Sequence, residues 1–139
     1  MSHHQEQVVV STRGQGLYEV TREVEQIVSR ADVGVGLATV FVRHTSASLI
    51  INENADPDVP RDLEAFLRRL VPEGDPLYRH TAEGPDDMPA HVKSALTATS
   101  LAIPVMGGRL ALGTWQGIFL WEHRRAAHSR ELLVHISGE

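Results

Sequence analysis

The sequence predicts an α+β fold, with a β-sandwich-like core of mixed, largely antiparallel sheets and about three flanking helices. Three observations lead there. Apolar residues alternate with period two in several short runs, apolar stripes with a period near 3.6 occur in three places, and the two kinds are interleaved until a strand-only meander fills the last third. A length of 139 residues fits one domain spanning 1–139, large enough to bury a core.

The elements follow in order. Residues 1–4 are expected to be frayed, which sets His3 and His4 aside. QEQVVVST (5–12) is β-branched enough for a strand, and the glycines of RGQGL close it. Val20, Val24, Ile27 and Val28 recur at helical spacing, predicting a helix that ends near Ala31 and Asp32. In LATVFVRH, Ala38, Val40, Val42 and His44 share one face of a strand, and ASLIINE (47–53) makes the next. NADPDVPRDLEAFLRRLVPEG predicts a second helix with an apolar stripe of Val59, Leu63, Phe66, Leu67 and Leu70, stopped by Pro72 and Gly74. After the polar loop GDPLYRHTAEGPDD, Pro89 opens a third helix whose inner face would be Val92, Ala95, Leu96 and Thr99. LAIPVM, a Gly107-Gly108 hairpin, RLALG, QGIFLWEHR, a turn at RAAHS and ELLVHIS complete the chain. Within GIFLWEHR, Phe119, Trp121 and His123 share one face and Ile118, Leu120 and Glu122 the other.

Composition removes several function classes. The net charge of −5 and the scatter of the basic residues argue against nucleic acid or an anionic membrane surface as partner. No apolar run approaches the ~20 residues of a membrane helix. MSHHQEQVVV lacks the basic head and apolar stretch of a secretory signal, and cysteine is absent, so a cytoplasmic location without disulfides is expected. Twelve of the thirteen basic residues are arginine, which is read as codon bias. With eight histidines and no cysteine, any transition-metal site must be built from imidazole and carboxylate.

Several motifs carry candidate chemistry beside a plainer explanation. His80, His91 and His123 stand at element edges in polar company, and a three-imidazole set would leave a coordination position open for water or substrate. Their spacing fits no standard short motif, and from spacing alone satisfied structural or surface histidines are the commoner explanation. In EGPDDMPAH (83–91), Asp86 and Asp87 suit a helix cap, while Asp87 also suits the acceptor for a ligating histidine's second ring N–H. INENADPDVP packs Asn52, Glu53, Asn54, Asp56 and Asp58 after a strand, as a polar ligand site or as Asx turns. HTSAS sets His44 beside hydroxyls, but adjacent strand residues face opposite ways and no G-x-S-x-G elbow exists. LGTWQG offers Trp115 and Gln116 as a ligand wall or a sheet corner.

Taken together, HTSASLIINENADPDVPRDLE, YRHTAEGPDDMPAHVKSAL and IPVMGGRLALGTWQGIFLWEHR resemble, in order, the signature blocks of the YjbQ family, also labelled secondary thiamine-phosphate synthase enzymes. The likeness covers about residues 5 to 139. It implies a homotrimer with clefts between subunits, a bound divalent metal, and a weak ability to join hydroxymethylpyrimidine diphosphate to a thiazole phosphate with release of pyrophosphate. The positions matching the family's polar motif residues are His44, Asn52, Glu53, Asn54, Asp58, His80, Asp87, His91, Trp115, Gln116, Glu122 and His123.

The expectation is therefore a metal-dependent enzyme acting on a small phosphorylated substrate. His80, His91 and His123 would hold the divalent ion, zinc in the first instance, with Asp87 orienting a ligand and Asp86 capping the helix. His44 or Glu122 would handle protons. Asn52, Glu53, Asn54, Asp58, Trp115 and Gln116 would bind substrate, and an arginine such as Arg109 or Arg124 would neutralise the departing diphosphate. The alternatives are a metal-assisted hydrolase with Glu122 as base, and a non-catalytic trimeric module that binds ligand or metal.

Overall fold

The computed structural model describes residues 1–139 as two stacked antiparallel sheets with three helices. The elements are β1 (Ser2–Ser11), β2 (Gly16–Glu19), α1 (Thr21–Ala31), β3 (Val35–Val42), β4 (Ala47–Glu53), α2 (Asp58–Leu70), α3 (Asp87–Leu96), β5 (Ser100–Met106), β6 (Arg109–Leu110), β7 (Gln116–Glu122) and β8 (Ser129–Gly138). The larger sheet has the order β1-β8-β3-β5-β6 and the smaller one β2-β7-β4. This is the expected α+β sandwich.

Alternation decides which residues meet between the sheets. Ala38, Val40 and Val42 of β3 point inward with Leu132, Val134 and Ile136 of β8, facing Leu49 of β4 and Ile118 and Leu120 of β7. Val24, Ile27 and Val28 close this 18-residue core from α1, as their spacing predicts. Each such aliphatic side chain contributes about 1.5–3 kcal/mol on burial. The opposite face of the smaller sheet carries Trp121, which packs with Leu67 and Val71 under α2 and with the half-buried Val92 of α3. Both faces of β7 are thus covered, so only Gln116 of that strand is exposed.

Several expectations are corrected. Residues 2–4 are not frayed: β1 pairs with β8 from Ser2↔Gly138 onward, because β8 is long enough to template the whole segment. The glycine stretch after Arg13 contains β2, which pairs Leu17 with Trp121 and would be hard to see in four residues without a pattern. In α2 only Leu67 is buried, while Phe66 and Leu70 are exposed. The third helix begins at Asp87, and its inner face is Pro89, Ala90, Lys93 and Ser94, with Ala95 and Leu96 exposed. That side is set by polar anchoring, since Ser94 Oγ donates to the Ala47 carbonyl and Thr97 Oγ1 to Ser48 Oγ. The Gly107-Gly108 turn is as expected, with φ of 61° and 76° fitting the twist of the β5–β6 hairpin. No helix is long and apolar enough to cross a membrane.

Candidate functional site

The first turn of α3 and the loop before it bring His80, Asp87 and His91 together. Asp87 and His91 are four residues apart on one helix face, so their side chains stack. One ligand-type atom from each of the three residues lies within 4.8 Å of the other two. His80 Nε2 is 2.6 Å and His91 Nε2 is 3.1 Å from the same oxygen, Asp87 Oδ2. The two rings sit 5.3 Å apart, and both remain partly exposed while the Asp87 carboxylate is largely enclosed.

The tautomer of His91 is fixed by its other nitrogen. Nδ1 lies 3.0 Å from the Thr45 carbonyl, which can only accept, so Nδ1 carries the proton. In a neutral ring, Nε2 then aims a lone pair at a carboxylate oxygen. The pair is stable only with a positive charge between them, either a second ring proton or a cation. A backbone carbonyl behind one ring nitrogen is also the arrangement that orients a metal-ligating histidine.

Arg124 holds the carboxylate side. Its Nε donates to Asp86 Oδ2 at 3.0 Å, one terminal nitrogen lies 2.8 Å from Asp87 Oδ1, and the other donates to the Glu83 carbonyl. Burial raises the Asp87 pKa, but the His80 hydrogen bond and the Arg124 charge outweigh it and hold the carboxyl below its ordinary value. Asp87 is accordingly an anion with Oδ1 fixed and Oδ2 turned to the imidazoles. Arg124 has its donors engaged, which corrects its expected role against a diphosphate, and Arg109 lies away on β6. Asp86 occupies the N-cap position without capping: its Oδ2 takes Arg124 Nε and the Arg125 N–H instead.

His123 does not join this group, which corrects the three-histidine set. It is 1% exposed, under the helices on the outer face of the smaller sheet. Its Nε2 meets Ser48 Oγ at 2.8 Å, its ring packs against Trp121, and its buried Nδ1 has no partner. Burial first, and then the charge of Lys93, depress its pKa to about 3. Strand alternation correctly sent His123 and Glu122 to opposite faces but could not say what covers them.

Glu122 and His44 are likewise tied into the frame. Glu122 is fully buried between the sheets and accepts from Thr12 Oγ1 at 2.7 Å, Arg130 Nε at 2.8 Å, a terminal nitrogen of Arg130, and the Arg124 N–H. Four donors saturate a carboxylate, so Glu122 has no acceptor site left for a substrate proton. The Nε2 of half-buried His44 accepts the Glu131 N–H at 3.0 Å, and burial lowers its pKa.

The remaining candidates gather elsewhere. Asn52, Glu53, Trp115 and Gln116 meet where β4 ends and β7 begins, with Glu53 paired to Gln116. Their polar atoms mostly stabilise turns: Asn52 Oδ1 takes the Glu53 N–H, Glu53 Oε2 the Asp56 N–H, Gln116 Oε1 the Gly113 N–H, and the Asp58 N–H goes to Asp56. Asn54 bonds Glu19, and the Trp115 ring is exposed. From Ala47, opposite Glu122, to Glu53, opposite Gln116, is six strand steps, or ~20 Å. Within one chain this loop and the Thr45 end, where His91 is anchored, lie at opposite ends of the sheet.

A two-sheet antiparallel sandwich with a two-histidine, one-carboxylate group at the head of a helix defines the class of protein. The family model for UPF0047 protein YjbQ-like matches residues 5–139, and the chain belongs to that family. It is 59% identical over 136 residues to the UPF0047 protein sll1880 of Synechocystis, covering 98% of this chain and 92% of that protein. It is 44% identical to the UPF0047 protein YjbQ of Escherichia coli O157:H7, covering 98% and 99%. The crystal structure of a YbjQ-like protein from Sulfolobus solfataricus superimposes with a TM-score of 0.90 at 28% identity, over 99% of this chain and 98% of that one.

Proposed function

We propose that the protein is a metal-dependent enzyme acting on a small phosphorylated molecule, with His80, Asp87 and His91 as the ligands of a divalent ion. The single observation that supports this is the convergence of two imidazole nitrogens on Asp87 Oδ2, one of them backed by the Thr45 carbonyl. Two imidazoles and a carboxylate suit zinc or iron in a site with open positions, and zinc remains the first choice. Asp87 takes the third place expected of His123.

When bound, such an ion supplies Lewis-acid neutralisation of charge on a leaving phosphate oxygen. The chain's own residues do the rest. The Thr45 carbonyl holds the His91 tautomer, Arg124 locks Asp87 through Oδ1, and the partly exposed His80 leaves the group open to solvent on its loop side. The reaction carried by the family resemblance, joining hydroxymethylpyrimidine diphosphate to a thiazole phosphate, is the substrate class proposed. The Trp115 loop stands at the far end of the smaller sheet from the strand end that anchors His91, which favours the homotrimer, in which the loop of one copy completes the site of its neighbour. A cytoplasmic location belongs to the same proposal.

The test is metal content of untagged protein, followed by formation of thiamine phosphate from the two substrates with and without chelator. About one divalent ion per chain and chelator-sensitive product are expected. Protein that neither carries nor takes up zinc or iron overturns the proposal.

A further inference from the structure

Lys93 is the chain's only lysine and is 3% exposed. Its ammonium forms neither an ion pair nor a hydrogen bond; burial holds its pKa below the ordinary lysine value, and the charges of Glu64, Glu73 and Asp86, none of which touches it, offset that only in part. A buried cation without a partner is costly, so its surroundings need an account. The only sealed side-chain polar atom lacking a partner is His123 Nδ1, so the ammonium itself keeps an opening. That opening is a cavity of about 350 Å³ at the end of α2, lined by Lys93, Arg68, Arg125, Glu73 and Gln15 among others. Small-molecule clefts span about 300–1,000 Å³.

The charges in this cavity do not balance. Arg68 is satisfied by Glu64 at 2.7 Å and Arg125 by Glu73 at 2.5 Å, which leaves Lys93 uncompensated. Three cationic side chains line the space, and with Glu64 and Glu73 answering the two arginines the local excess is the one positive charge of Lys93, in a protein of net charge −5. Lys93 is fixed at the base by burial, whereas the two arginine side chains are more than half exposed at the mouth, each held by its carboxylate until an anion competes for it. We propose that this cavity binds the phosphate group of a small molecule, with Lys93 as the buried counter-charge and Arg68 and Arg125 closing on it. A phosphate group supplies the negative charge that Lys93 lacks, and its oxygens accept both point-charge and forked donors.

The inference does not rest on the metal proposal, and the experiment keeps the two apart. The full chain is titrated calorimetrically with inorganic phosphate and with glycerol 3-phosphate, with chelator present throughout so that no metal can bridge the anion. One site per chain is expected, weakened about tenfold or more in Lys93→Met and in Arg125→Gln, as loss of a charged hydrogen bond implies, and unchanged in Arg43→Gln, an exposed arginine just after β3. Tighter binding of inorganic phosphate would mark a free-ion site, and tighter binding of the ester a site for the phosphate end of a larger ligand. Arg125→Gln, at an exposed position, carries the test if Lys93→Met fails to fold. Absence of binding at ~10 mM of either probe overturns the inference, as does parental affinity in both Lys93→Met and Arg125→Gln.

Discussion

Arg130 of β8 and Glu122 of β7 form a fork across the two sheets, fully enclosed and bonded through both guanidinium and carboxylate edges. Thr12 Oγ1 donates to Glu122 and Ser46 Oγ accepts from Arg130 at the flanks, so the charged pair is supported by further hydrogen bonds. Burial raises the Glu122 pKa, but the bonds from Arg130 and Thr12 outweigh it and keep the carboxyl below its ordinary value.

Removing either partner leaves an uncompensated charge in the core. Arg130→Met and Glu122→Gln should each lower unfolding free energy by about 3–5 kcal/mol, whereas the double substitution should recover a large part of that loss. Urea denaturation of the four proteins gives the coupling directly. Additive losses would mean that the pair is not an energetic unit.

Stability should depend on pH well above the carboxylate range. The folded protein holds His123 near 3 against an ordinary value of 6.5, so the unfolded chain binds a proton that the folded one refuses throughout that window. Stability therefore rises with pH between the two values and is lost as pH falls from about 6.5, at up to ~1.4 kcal/mol per pH unit. His44, also lowered by burial, adds in the same direction. Asp86, Asp87 and Glu122 have lowered values and weaken the fold only at more acidic pH. Denaturation midpoints from pH 7 to 4.5 should fall in the parent and flatten in His123→Gln; equal slopes would show that His123 titrates normally.

What could be read from the sequence divides along physical lines. α1 was legible because its buried side is purely aliphatic, and the β3, β7 and β8 faces because alternation is strict. Arg130 was missed although it is in phase with Leu132, Val134 and Ile136, just as Glu122 is with Ile118 and Leu120: two inward charges of opposite sign were the available signal. α3 was turned wrongly because apolar counting ignores a face buried through Asp87, Lys93 and Ser94. The Asp87–His91 pair was visible as a four-residue spacing, but only the fold brings the His80 loop onto it. The exclusion of His123 depended on Ser48 and on the helices above it, contacts that no local pattern encodes.

The β3–β8 contact depends on two facing glycines. Gly36 pairs with Gly138, and a Cβ on Gly36 would stand 2.1 Å from the Ser137 carbonyl oxygen, a backbone atom that cannot swing aside. Gly36→Ala should cost about 1–3 kcal/mol through overpacking. Thermal unfolding of the variant measures it, and a Tm equal to the parent's would show that the strands part freely there.

Metal retention separates the ligand set drawn from the structure from the three-histidine set. Asp87→Asn removes the anion that His80 and His91 share while keeping the side chain's size, so it should release the ion, with His80→Ala and His91→Ala behaving alike. His123→Gln should retain the ion at parental stoichiometry, because that ring is committed to Ser48 beneath the helices. Zinc and iron content after gel filtration, with circular dichroism to confirm folding, reads all four variants at once. Loss of metal in folded His123→Gln together with retention in Asp87→Asn would restore the imidazole-only set and move the site to the outer face of the smaller sheet. The expected opposite result puts it at the head of α3, where Thr45 and Arg124 already hold two of its three ligands in place.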